Sequence, residues 1–396
     1  MRSVSVEQRR ARLARRHRLT AATLAREPSD IAASMRALHA TDPATVHLSV
    51  RARSHGLTPA DVEKALYDDR ILLRMLAMRR TMFVVPVESV PILQAAIADP
   101  LAAAQRRTYL KYLREAVAGD AERWLADVAE RTHRELLERG SATAAELSAA
   151  VPELRTQVDT APGKPYSKPT AITGWVLLLL GCEGLIVRGR PTGGWTSTRY
   201  TWAPRETWLA ESPQPVEPRQ PVETDTARTE LARRWLHTFG PAPITDLIWW
   251  TGWTRTQTRR ALSAVDVTEV DLDAATGLIL SDDTEPDPDP EPWAALLPAL
   301  DPTPMGWKDR NWFLGPHGPA LFDTTGNIGP SIWVDGRIVG GWAQRADGEI
   351  VYRLLEDVGA HARAQIDAEC ESVTTWFGDV CAIPRFRTPL ERELSS

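Results

Sequence analysis

The sequence predicts an α+β protein: tandem winged-helix domains, a helix-turn-helix variant, followed by a small C-terminal β-barrel. Three observations predict it. A long helix, a short helix, a further helix and a β-hairpin succeed one another over residues 119–204, and the same order returns over 226–283. SATAAELSAAV (141–151) and APITDLIWWTG (242–252) fill the same slot in the two passages. Beyond residue 292 the chain changes to short runs rich in β-branched and aromatic residues, broken by tight turns, the pattern of a barrel or meander.

The elements follow in order. Residues 5–16 carry a helical pattern, as does SDIAASMRAL (29–38), where Ser29 can cap. PATVHLSVRARS (43–54) follows, with Asp42 as cap and Pro43 in the first turn, where a missing N–H costs nothing. TPADVEKALYD (58–68) opens on another cap candidate, Thr58. ILLRMLAMRRTMFVVP (71–86) turns strand-like near Thr81–Val85, and the segment to Val117 is helical. GDAERWLADVAERTHRELLERG (119–140) is a long amphipathic helix stopped by Gly140. A short helix over 141–151 leads to PTAITGWVLLLLGCEGLIVRG (169–189), a helix and then a strand, and to a hairpin over 190–204 that turns at Gly193-Gly194. ESPQPVEPRQPVETD (211–225) has linker composition. Helices over 226–240, 243–252 and 254–265 precede a strand pair over 267–283, and Arg255, Arg259 and Arg260 fall on the exposed side of the third. DTEPDPDPEP (283–292) is an exposed acidic loop. NWFL, PALF, SIWVDGRIVGGW and EIVYRLL read as strands, with Asp335-Gly336 as a hairpin turn, and residues 357–378 as a closing helix. The domain division is therefore 1–118, 119–210, a linker 211–225, 226–283 and 284–396.

Bulk properties narrow the function. The longest apolar run, WVLLLLG (175–181), is far shorter than the roughly 20 residues that cross a bilayer. The arginine-rich N-terminus has no apolar core of a secretory signal, so a cytoplasmic, nucleoid-associated protein with no membrane partner is expected. Cys182, Cys370 and Cys381 match no metal spacing and are read as reduced buried thiols. No phosphate-cradling glycine loop and no metal motif occurs, so no cofactor is expected. Net charge is −5, but residues 1–120 hold 20 basic and 12 acidic side chains (+8), and residues 271–396 hold 9 and 22 (−13). Such asymmetry points to a surface built for an anionic partner.

LHATDP (38–43), LRMLAMRRTMFVVP (73–86), WVLLLLGCEGLIVRG (175–189), LPALDPTPMGWKDR (297–310) and WVDGRIVGGW (333–342) together resemble the winged-helix DNA-binding-domain proteins that include the bacterial AlkZ- and YcaQ-type DNA glycosylases. The resemblance spans essentially the whole chain. It implies tandem winged helices and a barrel wrapped around double-stranded DNA, damaged or not, and monofunctional excision of alkylated purines by a monomeric clamp. The characterised glycosylases place two glutamines, or a glutamine and an aspartate, one residue apart. Those positions fall here on His39 and Thr41, a departure from the family pattern.

The candidate catalytic residues are His39, Thr41 and Asp42. His39 can hold a water and accept its proton near neutral pH. Thr41 offers a short-reach donor and acceptor, and Asp42 a negative field for a cationic sugar. Each has a plainer reading: a hydrogen-bonded core histidine, a turn threonine, a helix cap. His47 and His55 are read as packing or surface residues. Candidate DNA contacts are Arg51, Arg53, Arg79, Arg80, Lys164, Lys168, Arg188, Arg190, Arg199, Lys308 and Arg310, with Arg74 alongside Arg79. Each has a solvated face or a salt bridge as its alternative. Trp195 is an exposed-aromatic candidate, and Trp249 and Trp250 are core candidates. A non-catalytic winged-helix DNA-binding protein, a regulator or lesion-binding factor, is the second functional reading.

Overall fold

The structure is a computed structural model that describes all residues except 162, 165–166, 213–221 and 274. Most of the predicted linker therefore lies outside the described residues. The chain forms two compact units, Met1–Glu63 with Arg228–Ser396, and Lys64–Ala227. The predicted 118/119 boundary falls inside the second unit.

Along the chain the elements used below are β1 (Arg2–Ser3), α1 (Val6–Arg16), α2 (Pro43–Arg51), β2 (Leu72–Leu76), β3 (Met82–Pro86) and α3 (Asp99–Ala116). Then come α4 (Ala121–Arg139), α5 (Ala144–Ala150), α6 (Thr173–Cys182), β4 (Ile186–Pro191) and β5 (Tyr200–Pro204). They are followed by α7 (Thr224–Phe239), α8 (Ile244–Thr251), α9 (Arg255–Leu262), β6 (Val267–Asp271) and β7 (Thr276–Leu280). The last are β8 (Ala294–Leu297), β9 (Ser331–Val334), β10 (Arg337–Gln344), β11 (Ile350–Leu354) and α10 (Gly359–Phe377).

The capping chemistry explains several starts. Ser5 and Gln8 form a reciprocal capping box on α1, Thr143 and Glu146 one on α5, and Thr254 and Gln257 one on α9. Asp120 caps α4, and Gly140 ends it with φ 74°, a left-handed conformation that a side chain would strain. The helix predicted over 29–38 runs only from Pro28 to Ser34. Its cap position is Glu27 rather than Ser29, and Leu38–His39 is extended.

In the second unit, α3, α4, α5, α6 and the β4–β5 hairpin close around Leu113, Leu125, Val128, Leu136, Leu147, Leu179 and Ile186, with Tyr109 stacked on Trp175 at 4.3 Å. Three helices and a hairpin thus appear in the predicted order, and α7, α8, α9 and the β6–β7 pair repeat it. β1 adds in parallel to β6, with Arg2 opposite Val270.

The C-terminal half departs from expectation. Among the described residues no barrel closes. β8, β9, β10 and β11 form an open antiparallel four-stranded meander, covered by α10 packed on β8. NWFL and PALF, read as strands, are single helical turns at Asn311–Leu314 and Gly318–Leu321. Trp312, Phe313 and Leu314 are consecutive and all buried, which a two-faced strand with one wet side could not achieve. Their destination is an aromatic core. Trp307 meets Phe239 edge-on at 5.2 Å and Trp312 at 5.2 Å, and Phe313 lies 5.2 Å from Trp333. Gly306 must lack a side chain because a Cβ there would stand 2.3 Å from the Phe239 ring.

Asp246, in the first turn of α8, is fully buried and accepts the Lys308 and Asp309 amides at 3.0 Å each. Burial raises its pKa from 3.8 to about 6, against the opposing pull of those amides and of Arg9. The folded chain therefore binds this proton more tightly than the unfolded chain. The group's contribution to stability is greatest below about pH 4 and falls as pH rises to about 6, by roughly 3 kcal/mol at most. Asp246→Asn keeps an oxygen for both amides. Melting curves from pH 4 to 7.5 should show it at least as stable as wild type at pH 7, with a flatter pH dependence between 4 and 6.

Candidate active site

The HATD segment (39–42) lies at a strand-to-helix junction in the first unit. Leu38 and His39 are extended, Thr41 bends the chain, and α2 begins at Pro43. Asp42 is the N-cap. One carboxylate oxygen accepts the Ala44 amide at 3.1 Å, and the other accepts the Arg385 amide at 2.8 Å. Burial pushes its pKa up, and these two amides pull it back. The side chain thus joins α2 to the C-terminal segment and has no oxygen turned to solvent for a substrate.

His39 is only 6% exposed, whereas Thr41 is half-buried. The imidazole is therefore recessed rather than presented on an open surface. Beside Asp42 lies a slot of about 20 Å³ lined by Thr45, Leu48, Trp342, Gln344 and Pro384. That is room for a water molecule and not for a purine.

α2 is held along one face. Thr45 donates to the Ala299 carbonyl at 2.7 Å, and Ser49 to Asp301 at 2.8 Å. Two residues past the helix, Arg53 forks onto both oxygens of Asp301 at 2.8 and 2.6 Å and onto Thr303 at 2.8 Å. Arg53 and Asp301 are both fully buried. His17 closes the network, with Nδ1 2.8 Å from Thr303 Oγ1 and its ring stacked on Trp307. Asp301 and Thr303 were not singled out from the sequence, although they stand inside the LPALDPTPMGWKDR stretch. The usable signal was the Ser49–Arg53 spacing, one helical turn, which puts a donor pair on one face.

This corrects the expectation for Arg53, which is sealed against a carboxylate and cannot reach a phosphate. Arg51 is likewise engaged, bidentate on Glu369 at 2.7 and 3.1 Å with only 8% of its side chain exposed. Arg310 donates to the Pro304 carbonyl and lies between Trp249 and Phe322 at 4.8 and 4.9 Å. Arg190 pairs with Asp68 at 2.7 Å, and Arg188 stacks over Tyr200 and Trp202. Arg74 is buried between the hydroxyls of Tyr67 and Tyr200. Trp195, expected at the surface, is buried, and Trp250 is in the core as expected. His47 is buried in α2 and His55 is exposed, while Cys381 is exposed rather than buried. Arg79, Arg80, Lys164, Lys168, Arg199 and Lys308 do face solvent, as do Arg255, Arg259 and Arg260 on α9.

The N-terminal arginines are spoken for. Arg12 reaches Asp283 at 2.6 Å and Asp287 at 3.3 Å, and Arg16 reaches Asp283 at 2.5 Å. Arg9 lies over the Trp312 ring at 4.0 Å. The acidic loop therefore neutralises part of α1, and the charge asymmetry along the sequence is in part an internal pairing.

Asp42→Ala removes the cap and leaves two amides without their acceptor. It should cost roughly 2 kcal/mol, measured by chemical unfolding of the full chain. Asp42→Asn, which keeps one acceptor oxygen, should recover part of the loss.

A family description, DNA glycosylase AlkZ-like, matches residues 32–376. Among solved structures, the Streptomyces sahachiroi DNA glycosylase AlkZ aligns with a TM-score of 0.73 and 20% identity, covering 96% of this chain and 99% of that one. At that identity the likeness speaks for the fold alone. No curated protein sequence matches.

Proposed function

The chain belongs to the AlkZ-like DNA glycosylase family, and from that premise we propose that it excises alkylated or bulky-adduct purines from duplex DNA, with His39 and Thr41 in place of the usual glutamine pair. An N7-alkylated purine already carries positive charge, so it leaves without being protonated. What remains is to hold a water at the sugar and to stabilise an oxocarbenium-like state. His39 holds the water and receives its proton, and Thr41, the more exposed of the two, orients it. Asp42 acts as a positioning residue, since both its oxygens are occupied by amides.

The observation that carries this reading is the rigidity of the junction: its cap is fixed on two sides and its helix is clamped at Thr45, Ser49 and Arg53. Preorganisation of this kind is what a site with few functional groups requires. In this reading α4–α5–α6 with β4–β5, and α7–α8–α9 with β6–β7, are two winged helices, and residues 1–118 hold a third. The exposed cations at 79, 80, 164, 168 and 199 in the second unit, and at 308 in the first, contact phosphates of the duplex, and the chain acts as a monomer in the nucleoid. The burial of His39 favours one alternative, a winged-helix protein that binds lesions without cutting the glycosidic bond.

Single-turnover assays on duplex containing N7-methylguanine separate the two. The proposal expects free base and abasic sites from wild type, at least a roughly hundredfold slower reaction for His39→Ala, a smaller loss for Thr41→Ala, and duplex affinity within about twofold for both. Tight binding with no base released by wild type would establish the alternative.

A further inference from the structure

β2 and β3 form a rigid hairpin in the second unit, paired from Leu72 opposite Pro86 to Leu76 opposite Met82, with all ten residues buried. The tip closes through the Ala77 amide to the Thr81 carbonyl at 2.9 Å and the Arg80 amide to the Ala77 carbonyl at 3.2 Å. Its two central residues, Arg79 and Arg80, have φ of 55° and 62°. Both are left-handed, and among the described residues they are the only adjacent non-glycine pair in that region. A hairpin that needs two left-handed residues ordinarily takes Asn-Gly, because a Cβ crowds the following carbonyl. Here the tip instead carries two long cationic side chains, both exposed, and the Arg80 guanidinium donates to the neutral Gln105 side chain at 3.3 Å.

Backbone strain of this kind persists where it serves a site. Positive charge alone would not need it, since one arginine on a relaxed Arg-Gly turn would meet a phosphate equally well. Two guanidiniums fixed side by side on a stiff hairpin are suited to a shaped target. We infer that the Arg79-Arg80 tip is a geometry-selective probe that enters a groove of the duplex, rather than a diffuse phosphate contact. This rests on the proposed DNA glycosylase reading. The planar fork of arginine, which lysine lacks, supplies hydrogen-bond donors to base edges and favours narrow, strongly negative grooves.

Two variants test it. Arg79→Asn with Arg80→Gly relieves the strain and removes both charges. Arg79→Lys with Arg80→Lys keeps charge and strain and removes the fork. The first should raise the melting temperature by roughly 2–4 °C, while affinity for an undamaged duplex falls about tenfold or more and the salt dependence flattens by about two units. The second should keep the wild-type salt dependence and still lose about fivefold or more in affinity. Wild-type affinity in the double-lysine variant would reduce the tip to a charge contact and overturn the inference. So would unchanged affinity, or no gain in melting temperature, for the Asn-Gly variant. Wild-type protein that fails to bind duplex at all sinks the glycosylase reading and this inference with it. Wild-type binding matched by the Asn-Gly variant sinks this inference alone.

Discussion

The Arg53–Asp301 pair is the constraint on which the first unit's site depends. Removing both charges from water costs several kcal/mol per ion, so the pair persists only because its lone pairs and protons are nearly all used. Asp301 accepts from Ser49, from both Arg53 nitrogens and from the Thr303 amide, and Arg53 also donates to the Ser49 carbonyl and to Thr303. A pair of this kind adds little net stability compared with apolar packing, but it tolerates very few geometries. α2 therefore has one position against residues 299–303. Its first turn, with Asp42 and the extended His39 just before it, inherits that position.

Local features were the most legible from sequence. The α2 cap at Asp42 and Pro43, the stop at Gly140, the β6–β7 pair and the Asp335-Gly336 turn each depend on a few neighbouring residues, and each stands where expected. What failed was set by distant packing. NWFL has strand-like composition, yet it coils because three consecutive apolar side chains all find partners in the aromatic core. Trp195 follows a glycine pair at a hairpin tip and is nonetheless buried. The site residues show the same limit. Asp42 as a cap could be read from its neighbour, whereas the Arg385 amide on its second oxygen is 343 positions away. Arg53 reads as a phosphate ligand because the Ser49–Arg53 spacing shows a donor pair but not its acceptor, and Asp301 is 248 positions away.

The charge pattern repeats the lesson. A sequence with +8 at one end and −13 at the other invites an electrostatic account of binding. In the folded chain Arg12 and Arg16 meet Asp283 and Asp287, and Arg51 meets Glu369. Exposed cations remain on the β2–β3 tip, the β4–β5 hairpin, the loop around Lys164 and Lys168, and α9, and also along α3 and α4 at Arg107, Lys111, Arg114, Arg123 and Arg134.

Amide hydrogen exchange reports the hold of Asp301 on α2 most directly. In Asp301→Asn the α2 amides, residues 45–51, should exchange about a hundredfold faster or more, as expected for losing one partner of a buried pair. Amides of α4 in the other unit should keep their wild-type rates. Unchanged protection of α2 in that variant would contradict the account, because the helix would then be held in place by packing alone.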